Sequence, residues 1–264
     1  MEQTNISGDA ALTGSVLFYS KPEPLSREMH GGLGLKQLEN PFRFAAQTHV
    51  IPLVVTEFAP AALSYPIIFV GEQRMPVAVM GVNQGENLFA DEKGVFDVDA
   101  YLPAYMRRYP FVFANDESQS RMIVCIDRDA EMITESPETP FFENGEPTEY
   151  TKNAIKFCEN FETERRRTEA FVKMLKDADM FEVKRATFTP RAPDGTTGEP
   201  QLIAEYYAVS ETKMAALTGE QLEQFHKTGA LSQIYAHFVS LVGWERLIAR
   251  ALMRAQKRVD ATSH

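Results

Sequence analysis

The amino-acid pattern predicts an α+β chain, with a β-rich N-terminal lobe of mixed or antiparallel strands and a helix-rich C-terminal lobe. Three observations carry this. Short runs of branched residues separated by turn residues fill His49 to Ile126, and apolar residues recur at helical spacing after Thr151. Between them, Asp127 to Tyr150 is rich in Asp and Glu and interrupted by Pro and Gly. The implied division is an irregular arm at 1–40, a β-rich lobe at 41–127, an exposed acidic connection at 128–150, and a helix-rich lobe at 151–264 carrying a β-hairpin at 181–209.

Each element has its own local reason. Pro22, Pro24, Gly31, Gly32 and Gly34 break the first 40 residues, which end at the turn signal Asn40-Pro41. Val50 to Val55 reads as a strand, and Thr56 is placed to cap a short helix running to Leu63. Ile67 to Val70 and Pro76 to Val82 flank Gly71-Glu72-Gln73-Arg74, a hairpin loop by length and composition. Pro110 to Ala114 and Met122 to Ile126 suggest two more strands, with a short helix at Ala100 to Arg108 before them.

In the second half, Ile155, Cys158, Phe161, Val172 and Leu175 mark one face of a long helix. Phe181 to Thr189 and Gln201 to Val209 read as paired strands around a wide Pro- and Gly-containing loop, Pro190 to Pro200. Thr218 with Gln221 forms a capping box, and Gly229 is the matching stop. A single further helix is expected over Leu231 to Gln256, turning Leu231, Ile234, Phe238, Leu241, Ile248 and Leu252 inward.

With 264 residues, 44% hydrophobic and 11% aromatic, the chain can bury a sizeable core without covalent staples. Its formal charge of −10 is uneven: residues 1–150 hold 10 Lys and Arg against 22 Asp and Glu, and residues 151–264 hold 17 against 15. Such an acidic chain lacks the positive field that binding to phosphate backbones requires, so nucleic acid is not an expected partner. Cys125 and Cys158 sit in apolar contexts and read as buried, reduced thiols. Met1 to Gly14 resembles no secretory signal and no stretch has the length of a membrane helix, which makes the cytoplasm the expected location.

Catalytic templates are missing: there is no G-x-S-x-G, no G-x-x-x-x-G-K-[ST] and no H-E-x-x-H. Gly31-Gly32-Leu33-Gly34 fails as a dinucleotide loop, because Gln37 stands where the third glycine belongs. The five histidines are scattered, and His226 and His237 are separated by Gly229, so no metal and no cofactor is expected.

Two constellations stand out. The first runs from Gly81-Val82-Asn83-Gln84-Gly85-Glu86-Asn87-Leu88-Phe89 to Tyr101-Leu102-Pro103-Ala104-Tyr105-Met106-Arg107-Arg108-Tyr109-Pro110-Phe111. Asn83, Glu86, Asn87, Tyr101, Tyr105, Arg107 and Arg108 would form a polar pocket for an anionic small molecule, since Arg grips carboxylate or phosphate in a two-pronged contact. The plainer reading is a tied-down loop in which Gly85 permits the turn and Glu86 and Asn87 bond exposed backbone. The second is Arg246, Arg250, Arg254 and Arg258, a stripe at spacing four that would dock on an acidic partner or pair with the chain's own acidic half.

The first constellation resembles the signature of the SapC family of bacterial proteins, and the similarity extends from about His49 to Arg250, including Leu231 to Phe238. The resemblance implies an accessory protein associated by name with a surface-layer locus, and it carries over no catalytic residue. A peptide-transport permease of the same name needs membrane helices, which this chain lacks. The expected function is therefore an accessory or protein-interaction role, with a protein partner or self-association. The alternatives are an enzyme or small-ligand-binding protein using Asn83 to Arg108, and a structural component of a surface layer.

Overall fold

A computed structural model of the chain describes residues 17–116, 121–190 and 196–262. The first 16 residues of the expected arm and residues 191–195 of the Pro190 to Pro200 loop lie outside these.

Strand-forming residues gather into antiparallel sheets. The remainder of the arm is folded into the molecule: β1 (Pro22–Pro24) follows Tyr19 and precedes α1 (Arg27–His30), and β2 is Gly34–Leu35. β3 (Val50–Pro52) leads through a 3-10 turn into α2 (Phe58–Ala62), and then come β4 (Ile67–Val70) and β5 (Met75–Val79), the expected hairpin. Thr56 is not the cap that its position suggests. The Glu57 carboxylate accepts from the Val54 N–H at 3.2 Å instead, a contact in which a glutamate three residues in closes the turn.

The helix expected over Ala100 to Arg108 shrinks to α3 (Ala104–Arg107). Its first residues are held elsewhere: the Tyr101 N–H donates to Ser64 Oγ at 3.1 Å, and the Tyr101 carbonyl accepts from Tyr65 Oη at 2.7 Å. β6 (Phe111–Asp116) pairs with β7 (Arg121–Asp127), and β1 adds to the far side of β7. The stretch expected as an exposed connection is partly built in. β8 (Ile133–Thr134) and β9 (Thr139–Pro140) flank β2, and β10 (Phe142–Glu143) turns into β11 (Glu146–Pro147). Phe141, Met132 and Ala130 are buried there, and Phe141 packs with Leu35 of β2, Phe111 of β6 and Cys158 of α4 (Glu149–Asp177).

α4 begins under a Thr148 cap and buries Cys158, Phe161, Val172 and Leu175, with Phe171 and Thr168 beside them. β12 (Phe181–Phe188) and β13 (Gln201–Val209) then pair antiparallel. β13 docks on β4 through Tyr207 opposite Phe69, so the central sheet has the order β12-β13-β4-β5-β3 and draws strands from both sides of the acidic stretch. A shared hydrophobic core joins Ile51, Phe58, Phe69 and Val77 to Ala204, Phe225, Ile234 and Leu247.

After α5 (Glu211–Ala215), the capping box at Thr218 and Gln221 starts α6 (Gly219–Lys227), and Gly229, at φ +75, ends it. The single helix expected over Leu231 to Gln256 is two: α7 (Ala230–Leu241) and α8 (Gly243–Thr262). Two contacts account for the break. Ser240 Oγ donates to the His237 carbonyl and accepts from the Ile67 N–H, and Gly243 lies where a Cβ would stand 3.3 Å from Pro66. The break leaves Leu252 exposed rather than inward. No helix among the described residues is long and apolar enough to cross a membrane.

Candidate functional site

The Asn83 to Asn87 loop follows β5, and Gly85 takes φ +81 in an open turn that a side chain would strain. Asn87 is fully buried and spends both ends of its amide on the chain. Nδ2 donates to the Ala45 carbonyl at 3.1 Å, and Oδ1 accepts from the Phe89 N–H at 2.9 Å. Glu86 accepts from Asn83 Nδ2 at 3.2 Å and pairs with Arg258 at 3.1 Å.

Arg258 is the last of the four arginines on α8, and all four reach back into the chain. Arg246 donates to the Leu63 carbonyl at 2.9 Å. Arg250 meets Asp97 at 2.5 Å and the Leu88 carbonyl at 3.3 Å, with its guanidinium 4.3 Å from the Phe89 ring centre. Arg254 donates to the carbonyls of Asn87 at 2.7 Å and Ala90 at 2.6 Å. Spacing four on a helix places these residues on one face, where Arg250, Arg254 and Arg258 clip the Glu86 to Asp97 segment to α8 and Arg246 reaches the end of α2. Charged donors to backbone carbonyls are stronger than neutral ones, although exposure of the arginines tempers each contact.

Tyr101 and Arg107 belong to a different cluster, centred on a buried residue that the sequence did not single out. Glu57 Oε1 accepts from Tyr101 Oη at 2.8 Å and from the Ala104 N–H at 2.6 Å, while Arg107 approaches it at 3.7 Å. Arg107 also donates to the Leu102 carbonyl at 2.9 Å and to Tyr101 Oη at 3.3 Å. Burial pushes the Glu57 carboxyl above the usual range, against the pull of its backbone donors, Tyr101 and Arg107. The Tyr101 hydroxyl is raised to about 12, by burial first and then by the Glu57 charge. The available sequence signal for Glu57 was its place three residues after Val54 at a helix start.

Arg108 occupies a third environment. Its guanidinium carbon lies 4.1 Å from the Tyr105 ring centre, 4.5 Å from Phe161 and 5.8 Å from Tyr19, an aromatic setting that attracts a cation through the ring faces. Tyr105 in turn donates to the Leu17 carbonyl at 3.5 Å. Tyr109 donates to Asp127 at 3.0 Å, and the same carboxylate accepts from the Ser20 and Lys21 N–H groups.

The residues of the expected pocket therefore fall into three internal clusters: Asn83, Glu86 and Asn87 with α8, Tyr101 and Arg107 with Glu57, and Tyr105 and Arg108 among aromatic rings. Glu86 pairs with Arg258 and not with either Arg107 or Arg108. None of the seven lines the cavity of about 150 Å³ between α4 and the start of α7, or that of about 220 Å³ around Phe42 and Phe96.

The two thiols and His237 are buried away from any site. Cys125 and Cys158 are free and buried, and burial raises both thiols, Cys158 to about 11, away from the thiolate that nucleophilic chemistry uses. His237 has both ring nitrogens on the backbone: Nδ1 lies 2.9 Å from the Ile67 carbonyl, and Nε2 accepts from the Val209 N–H at 3.1 Å. Among the described residues no group of three His, Cys, Asp or Glu side chains could hold a metal ion.

Against these polar groups stands an exposed apolar face. Tyr235 and Val239 on the outer side of α7 and Val242, the residue that caps it, follow one another at helical spacing, with relative exposures of 58%, 60% and 71%. Leu63, 73% exposed, ends α2, which packs on α7.

The sequence model of one family, SapC, matches residues 25–247, most of the chain. No curated protein and no solved structure matches it. The chain belongs to the SapC family.

Proposed function

We propose that this SapC-family chain is a noncatalytic accessory protein that works by binding another protein, and that the outer side of α7 is where it binds. The supporting observation is the row Tyr235, Val239 and Val242, apolar side chains left open to water at spacings of four and three residues. Contiguous exposed apolar surface is uncommon on folded chains and marks contact surfaces. Arg246, one turn beyond Val242 on α8, supplies a charge at the rim, so the partner is expected to present an apolar patch bordered by acidic residues.

The small-ligand reading loses ground because most of the side chains it needs are held by internal contacts; Arg108 lies among aromatic rings, its buried Nε without a hydrogen-bond partner. In our reading the chain acts in the cytoplasm. A structural place in a bacterial surface layer is the alternative suggested by the family name, and cell fractionation separates the two.

The test is affinity capture with the full chain and with a Val239→Glu, Val242→Glu double variant. Both positions are exposed, so the melting temperature should hold while the captured partner is lost. Capture of the same proteins by both forms would overturn the reading.

A further inference from the structure

Among the described residues β12 is an edge strand: β13 pairs along one side of it, and Val183 at its middle is 54% exposed. Two hydrogen bonds at its start fix which way its backbone faces. The Met180 carbonyl accepts from the Ser210 N–H at 2.8 Å, on the β13 side. The Phe181 carbonyl accepts from Lys213 Nζ at 2.9 Å. In an antiparallel pair each residue sends its N–H and C=O to the same side, and the side alternates along the strand. Glu182 and Lys184 therefore face β13, whereas Phe181, Val183 and Arg185 turn their backbone groups to the open edge. The register irregularity with β13 comes only after Ala186.

We propose that this edge pairs antiparallel with β12 of a second copy of the chain, joining two five-stranded sheets into one. The proposal does not rest on the α7 reading, which concerns a different surface.

The side chains select one register. A two-fold axis perpendicular to the sheet must pass through a residue, because side chains opposite each other share a face. An axis at Glu182, Lys184 or Arg185 would set like charges directly against each other, which destabilises a pair. An axis at Phe181, the first residue of β12, would pair Val183 with Asp179, which lies outside the strand at φ +51, and at Ala186 the alternation breaks. At Val183 the two exposed valines meet and exchange both backbone bonds, and Glu182 of each copy stands opposite Lys184 of the other. Phe181 then faces Arg185, and its carbonyl has a second lone pair for the new bond. A closed pair of this kind consumes the free edge of both copies, which would otherwise invite open-ended association.

The test is the molar mass of the full chain by sedimentation, with the wild type expected as a dimer of the 29.7 kDa chain. Lys184→Glu alone and Glu182→Lys alone should each weaken the dimer about tenfold or more, by opposing like charges at two positions. An equimolar mixture of the two variants should recover it, since each carboxylate again meets an ammonium. Val183→Cys, on the axis, should cross-link to its own copy on oxidation. A wild type that stays monomeric at about 100 µM overturns the proposal, a limit that admits even weak self-association. So does a dimer that is indifferent to both variants, or a mixture no better than either. The Val239→Glu, Val242→Glu variant should keep the dimer, which separates failure here from failure of the α7 reading.

Discussion

Arg254 holds Asn87 in place from outside while Asn87 holds the loop from inside. The guanidinium donates to the Asn87 carbonyl at 2.7 Å, and the buried amide of the same residue bonds Ala45 and Phe89. The arginine stripe and the Asn83 to Asn87 turn are thus two halves of one fastening.

Replacing Arg254 by Ala should cost about 1–2 kcal/mol, the range for charge-assisted bonds on a partly exposed group. Lysine at this position should recover only part of the loss, because one ammonium reproduces a fork to two carbonyls poorly. Urea unfolding of the three forms checks this, and equal stability of wild type and Arg254→Ala would deny the fastening.

Asn87→Ala should be worse, at about 2–3 kcal/mol, since it leaves the buried Phe89 N–H without a partner and the Ala45 carbonyl with the Thr48 N–H alone. Asn87→Asp should be no better than Ala near neutral pH, because a carboxylate oxygen would then face the Ala45 carbonyl. Thermal unfolding at matched pH orders the variants.

The local elements were legible in the sequence where the signal is local. Gly71 to Arg74 announces the β4–β5 hairpin, and Thr218 with Gln221 announces α6. The docking of β13 on β4 was not legible, because a pairing between Tyr207 and Phe69 leaves no mark in either strand's own pattern. The same holds for the candidate site. Spacing four showed that the arginines share a face but not that the face meets the chain's own carbonyls. Glu57 went unnoticed because one glutamate in an apolar run looks like a helix-start residue until Tyr101, Ala104 and Arg107 are brought to it.

Glu57→Gln and Glu57→Ala should separate clearly. Burial raises the folded carboxyl above its unfolded value, so its ionised form is penalised and its contribution declines as pH rises through the folded value. Gln keeps one acceptor oxygen, for Tyr101 and the Ala104 N–H, but turns its amide nitrogen on the Val54 N–H, so it should cost about 1–2 kcal/mol, less than Ala. Ala strands two buried N–H groups, those of Val54 and Ala104, at about 2–4 kcal/mol. Denaturant unfolding at neutral pH decides, and a Gln variant as unstable as Ala would mean that both carboxylate oxygens are required as acceptors.

His237 should make the fold acid-sensitive. The ring is fully buried in the seam between β4 and β13, where those strands share the register pair Tyr207 and Phe69, and it supplies a donor to Ile67 and an acceptor to Val209. Those partners require the neutral ring with its proton on Nδ1, because a second proton on Nε2 would face the Val209 N–H. Burial, helped by the Lys184 charge and opposed by the Ile67 bond, lowers the folded value from 6.5 to about 4. The sign follows from linkage: above about pH 6.5 neither state binds the proton and the contribution is complete, whereas between there and about pH 4 the unfolded chain takes up a proton that the folded chain refuses. Stability should fall by roughly 3 kcal/mol across that window and then level for this group. His49, also lowered by burial, adds a loss of the same sign, so the wild-type slope alone does not isolate His237. The comparison that does is His237→Asn, which cannot titrate: it should be less stable at pH 7.5 by about 2–3 kcal/mol, and the gap to wild type should close towards pH 4. Urea unfolding at several pH values measures that gap. A gap that stays constant with pH would mean that the ring takes up its proton equally in both states, and the seam between the two strands would then have to be held by Ser240 and the Tyr207 pairing alone.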